Sequence, residues 1–255
     1  MITNFFLLFY KGCINLHILV SFLACFIIFP INIFNTKGSD FHKKIGHLAV
    51  LTVYMICATG FLMLINPVFP NQFAQIVAKN HWAPFFKASL YEPILFLWLI
   101  MNALYQTISG IRIWPRIAAI EKGLPSYNAL DIALMVLFSL FGWIMIGIGA
   151  IDFSHHNPFY GIFLAEGIKS NLYVAFDLWI LLQKPSLLVR WGWAIHGFKM
   201  ISIWMGLILV YIIRLNFKFR ELDGLTPMLS MVLLILPLLL VFYQEYWKHE
   251  KQSLS

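Results

Sequence analysis

The chain has 255 residues, of which 61% are hydrophobic and only 11% charged, with 24 Phe, 10 Tyr and 9 Trp. Soluble domains carry about 25% charged residues, so this composition excludes a water-soluble globule, a disordered chain, a coiled coil and a disulfide scaffold. The formal net charge of +7 sits in short clusters between apolar runs, as in membrane loops, and not along one face as in a nucleic-acid-binding domain.

A helix needs about 20 mostly apolar residues to cross the hydrocarbon core. Seven stretches meet that demand: 13–34, 44–66, 90–112, 129–151, 159–183, 189–214 and 226–246. Their apolar runs are continuous and lack period-two alternation, which selects helices over a barrel. The expected fold is all-α: a single multi-pass bundle of about seven transmembrane helices over residues 1–255.

In chain order, Phe5–Tyr10 is too short for a secretory signal, and Lys11 follows it where a cation should precede it. Cys13, Cys25 and Cys57 have no C-x-x-C spacing and read as small core hydrophobes. The first span carries His17. Ser39 or Asp40 is placed to cap the second, whose first two turns carry His42 and His47. The long connection 66–89 holds an amphipathic piece, Gln72–Lys79, and then His81-Trp82, which suits the membrane interface. Ser109 and Arg112 end the third span. Pro115–Lys122 is a second interfacial candidate, stopped by Gly123 and Pro125, and Asn128 caps the fourth span. His155-His156 reads as a solvated loop pair. Pro185 precedes the sixth span, Pro227 opens the seventh and Pro237 kinks it. Trp191, Trp193 and Trp247 suit aromatic belts.

Seven spans put the termini on opposite sides. The connections after spans one, three and five, with the C-terminal tail, hold ten cations, and the opposite side holds six. That imbalance favours a cytoplasmic C-terminus and an N-terminus outside; the expected location is a bacterial inner membrane.

Ionisable residues inside spans are costly and mark candidate sites. Glu166, Ser170, Tyr173 and Asp177 follow i, i+4, i+7 and i+11 along span five, one helical face. Lys169 can pair with Glu166 at i+3, and Lys199 of span six is expected to pair with a span-five carboxylate. The structural alternative for this polar stripe is helix–helix adhesion.

Histidines supply the second signal. His47, Asp177 and His196 fall at similar depth from the cytoplasmic side. A b-type haem takes one imidazole from each of two helices, which suits His196 with His47. Asp177 is then the candidate to hold the outer ring nitrogen of His196. His17 with an outer-loop histidine would make a poorer second site. Met200, facing the same side as His196, is a packing residue or an axial ligand. No H-E-x-x-H, nucleophile elbow, P-loop or dinucleotide fingerprint is present, and Ser109 lacks a partner histidine helix for serine-protease chemistry.

The order of motifs resembles an uncharacterised family of bacterial and fungal multi-pass membrane proteins, a domain of unknown function. The residues that carry it are His17, then Gly38-x-x-x-His42-Lys43-x-x-Gly46, Asp177, Arg190-Trp191, His196 and Met200, and the proline-led stretch Pro227–Trp247. The resemblance covers residues 16–247. It departs in placing His47 where an arginine is commoner, which makes His42 the rival of His47 as a ligand, and in a gap before His42 one residue longer than the pattern. It implies a helical membrane fold and no established activity. Histidines on several spans give a looser similarity to cytochrome b561-type bundles, an analogy of fold.

The expected function is haem-b electron transfer across the membrane or haem handling, with quinol or a soluble donor as partner. The alternative is a proton-coupled transporter built on Glu166, Lys169, Asp177 and Lys199. A third reading is a non-catalytic subunit of a larger membrane complex. A visible spectrum separates the first from the others.

Overall fold

The computed structural model describes residues 2–64, 91–154, 160–183 and 185–219. The seventh apolar stretch, the connection 66–89 with His81, the pair His155-His156, and Trp247 and His249 lie outside these residues. The described chain is helical with short connections: α1 (Ile2–Leu23), a π-helical turn (Ala24–Ile28), α2 (Phe29–Phe34), α3 (Asp40–Met63), α4 (Tyr91–Ile111), α5 (Ile113–Glu121), α6 (Ala129–Ser154), α7 (Tyr160–Gln183) and α8 (Pro185–Phe219). Six of the seven apolar stretches thus form helices. Among the described residues four segments are long and apolar enough to cross a membrane: Leu8–Phe34, Asp40–Met63, Pro93–Glu121 and Ala129–Ile151. Two compact units make up the chain, residues 1–104 and 105–255, and α4 runs from the first into the second.

In the first unit Pro30 explains the widened turn. A proline has no N–H to donate and its ring collides with the carbonyl four residues back. The π turn relieves that conflict just ahead of it, with Phe29 N donating to Ala24 O. Lys37 Nζ donates to the Asn32 and Ile33 carbonyls at 3.2 and 2.6 Å, two of the acceptors left open at the end of α2. Gly38, with φ of 79°, then turns the chain. Ser39 caps α3, its Oγ accepting from His42 N at 3.1 Å. The helices α1 and α3 pack side by side, with Tyr10 Oη donating to Met63 O at 3.1 Å. Gly60 lets the start of α4 approach closely, where a Cβ would stand 3.0 Å from Ile100 Cδ1.

In the second unit, α4 and α5 are almost one helix. Arg112 joins them, and the i→i−4 bonds Arg112 N to Ile108 O and Arg116 N to Arg112 O continue through the joint. Pro115 sits in the first turn of α5, where its missing N–H costs little. Gly123 N to Ile120 O and Leu124 N to Ala119 O close α5 in a Schellman motif, with Gly123 at φ of 68°. Asn128 and Asp131 cap α6 reciprocally: Asp131 N donates to Asn128 Oδ1 at 3.1 Å and Asn128 N to Asp131 Oδ2 at 3.0 Å.

The crossing of α6 and α7 is the closest in this unit. In lipid no hydrophobic gain draws helices together, so small residues that let backbones meet carry the association. Gly142 and Gly167 provide that meeting, clasped by Ser139 Oγ donating to Asn171 Oδ1 at 2.7 Å. The outer face of α7 is apolar, with Leu172, Phe176 and Trp179 exposed, which suits contact with acyl chains. A Cβ at Gly167 would lie 2.6 Å from the Gly142 carbonyl oxygen, whereas one at Gly147 on the same helix α6 meets nothing within 4 Å. Gly167→Ala should therefore lower the melting midpoint by roughly 5 °C, from an overpacking cost of about 1–3 kcal/mol. Gly147→Ala should hold or raise it, and scanning fluorimetry in detergent compares the two.

Candidate functional site

The stripe Glu166, Ser170, Tyr173 and Asp177 faces the interior of its unit, as its period requires. Glu166 is 2% exposed and Asp177 4%; Ser170 is buried and Tyr173 half-buried. Lys169 forms an ion pair with Glu166 Oε2 one turn along α7. Ser170 Oγ donates to the Glu166 carbonyl at 2.8 Å, folding its polarity back onto its own helix.

Three helices meet at Asp177. Lys199 of α8, 3% exposed, donates through Nζ to Asp177 Oδ2 at 2.7 Å. Tyr105 of α4 donates through Oη to the same oxygen at 2.5 Å. The Lys199 ammonium also lies over the Tyr105 ring, 5.1 Å from its centroid, and that ring stacks on Phe138 of α6 at 4.4 Å. A buried carboxylate is tolerable only with a counter-charge and hydrogen bonds, and Asp177 has both. Close helix approach makes this reach available: Gly110 of α4 lies against Lys199 Cβ, and Gly192 of α8 lies against Ile113 and Ile117 of α5.

A second ionic cluster closes the corner of α4, α5 and α6. Arg112 binds Asp131 through two nitrogens, Nε to Oδ1 at 2.5 Å and Nη2 to Oδ2 at 3.0 Å. Arg116 Nη2 reaches Asp131 Oδ1 at 2.8 Å. Sequence reading took both arginines as loop cations and assigned Asp131 no role. A signal was present: Tyr105, Ser109, Arg112 and Arg116 repeat the spacing i, i+4, i+7, i+11 of the span-five stripe, but Pro115 interrupts it. Gln106 was missed as well. It is 0% exposed, and neither of its amide atoms has a hydrogen-bond partner among the described residues.

The four histidines named from sequence share one feature. His196 Nδ1 faces the Gly110 carbonyl at 3.0 Å, His42 Nδ1 the Asn32 carbonyl at 3.1 Å, and His47 Nδ1 the Lys43 carbonyl at 2.7 Å. His17 Nδ1 meets Thr59 Oγ1 at 2.9 Å, and that hydroxyl also stands 2.7 Å from the Met55 carbonyl. Against the three carbonyls Nδ1 must be the donor, which assigns the proton to Nδ1 in the neutral rings of His196, His42 and His47, while the Thr59 hydroxyl can pair with either tautomer of His17. The Nδ1 of His196 is thus held by a backbone carbonyl, while Asp177, the residue expected there, is engaged by Lys199 and Tyr105. A carboxylate beside an ammonium and a neutral imidazole goes to the ammonium, since charge-assisted bonds are about twice as strong as neutral ones. His17, His42 and His47 belong to the first unit and His196 to the second. Among the described residues no three His, Cys, Asp or Glu side chains gather as a metal site would.

Fold and site together define a helical membrane protein with an ionic core in its second unit. Comparison with protein-family models, curated proteins and solved structures finds no match for the chain, so the resemblance noted above rests on its motifs alone. The buried pair makes its own energetic prediction. Lys199→Met should destabilise by about 3–5 kcal/mol because it strands the Asp177 charge. Asp177→Leu combined with Lys199→Met should recover much of that loss, as buried pairs replaced by apolar residues often do. Equilibrium unfolding of the single and double variants in detergent measures the difference.

Proposed function

We propose that this protein is a proton-coupled membrane carrier with seven spans and a cytoplasmic C-terminus, and that Asp177 is its proton-binding group. The observation that supports this reading is the Tyr105–Asp177–Lys199 cluster, a carboxylate shared by an ammonium and a phenol inside the helices. A proton delivered to Asp177 neutralises it and leaves Lys199 with no counter-charge from that oxygen. The effective penalty for an uncompensated ion in a protein interior is several kcal/mol. Lys199 must then release its own proton or move toward water, and either response couples protonation to a change in the bundle. Glu166 and Lys169 repeat the pairing nearly three turns away on the same stripe of α7. The unpartnered amide of Gln106 supplies a donor and an acceptor to a polar solute in the same unit.

Infrared pH-difference spectra of the protein in bilayers test the proton role without knowledge of the solute. A carboxyl C=O band that titrates in the wild type and vanishes in Asp177→Asn is the expected result. Identical spectra for the two proteins would overturn it. A reporter fused after Ser255 should be active only in its cytoplasmic form.

Haem-b binding is the second reading, favoured by the shared Nδ1–H assignment. An axial histidine is oriented by a hydrogen bond from its other ring nitrogen, and the Gly110 carbonyl serves His196 in that way. His196 would supply one axial imidazole, and the group would supply one-electron chemistry. Purified protein would then show a reducible Soret band that is lost in His196→Ala. A featureless visible spectrum removes this reading and leaves the carrier.

A further inference from the structure

Asp131 is a saturated acceptor. Its two oxygens already take Arg112 Nε and Nη2, Arg116 Nη2 and the Asn128 backbone N–H. Two guanidinium groups therefore share one carboxylate. Arg116 is 4% exposed, and its Nε has no hydrogen-bond partner among the described residues. A buried N–H of a cationic group without an acceptor is rare enough to require an explanation. The charges do not close either. Arg112, Arg116 and Lys199 stand against Asp131 and Asp177, three positive against two negative. Glu166 does not supply the missing negative charge, because Lys169 is paired with it. Arg112 keeps 24% of its side chain exposed, so the cluster has an open side.

We propose that the Arg112–Arg116 corner binds a phosphate-class oxyanion, whose oxygen accepts from Arg116 Nε and whose charge completes the cluster. Guanidinium forks match such groups in geometry and charge. Asp131 holds the two arginines in place and is not itself a ligand. The ligand is either a free phosphate or the phosphate of an anionic lipid headgroup, and the two share this chemistry. The site goes beyond the carrier reading and stands without it, since no step at Asp177 enters it.

The test uses the full chain in phosphatidylcholine nanodiscs. One arm titrates sodium phosphate against sodium chloride at equal ionic strength, and the other replaces part of the lipid with phosphatidylglycerol in chloride alone. The melting midpoint should rise saturably by about 5 °C in one arm, as expected for a ligand well above its dissociation constant. A rise with phosphate identifies the free ion, and a rise with phosphatidylglycerol alone identifies the headgroup. Arg116→Lys keeps the charge but loses Nε, and should weaken the apparent affinity about tenfold, the loss of one charge-assisted bond. Arg116→Gln should abolish the shift, and if it does not fold the lysine variant decides. Equal midpoints in all three conditions would overturn the proposal. So would an Arg116→Lys response identical to that of the wild type.

Discussion

A charge removed from water must find its opposite within a few ångströms, and the second unit is arranged around that demand. Asp177 draws α4, α7 and α8 to one point, and Asp131 draws α4, α5 and α6 to another. Neither carboxylate could be moved by a residue along its helix without losing its partner and stranding an ion. Register within the unit is therefore set by electrostatics, while apolar packing tolerates slippage. The glycines serve the same end. Gly110 and Gly192 bring backbones close enough for the Lys199 stem to span the gap, and Gly142 with Gly167 holds the α6–α7 pair that carries Asp131 and Asp177.

How much of this was legible depended on the range of each interaction. Local features were readable because their partners are neighbours in sequence: Ser39 and Asn128 as caps, Gly123 as a stop, Glu166 with Lys169, and the buried face of span five. That Lys199 pairs with a carboxylate of span five was also readable, though not that the carboxylate is Asp177, which the sequence reading gave to His196. Contacts that depend on which helices become neighbours were not. Nothing in the spacing of Tyr105 says that it will meet Asp177, 72 residues later. Arg112 and Arg116 were misread because Pro115 divides their helix in sequence, while the backbone continues through the joint. Pro30 drew no notice in span one, and only the backbone shows that the helix meets it with a π turn.

The histidines illustrate the limits of residue identity. From sequence they were alike only in being apolar-embedded and titratable. In the fold each has one nitrogen committed to an oxygen of the chain. Two of the acceptors are carbonyls on another element of the same unit, Gly110 for His196 and Asn32 for His42. Those two rings therefore also tie helices together, whatever the remaining nitrogen does. His47 turns back onto Lys43 of its own helix and stands exposed, a local bond that joins no elements.

One oxygen, Oδ2 of Asp177, accepts from a side chain of α4 and from a side chain of α8, while its own side chain belongs to α7. It works as a rivet through three beams. Loosening a rivet frees every beam it passes through at once, and in the carrier proposed above the loosening agent would be a single hydrogen nucleus. A signal of one atomic mass unit would then be read out as the slackening of three rods, each of at least 21 residues, with no hinge loop between cause and effect.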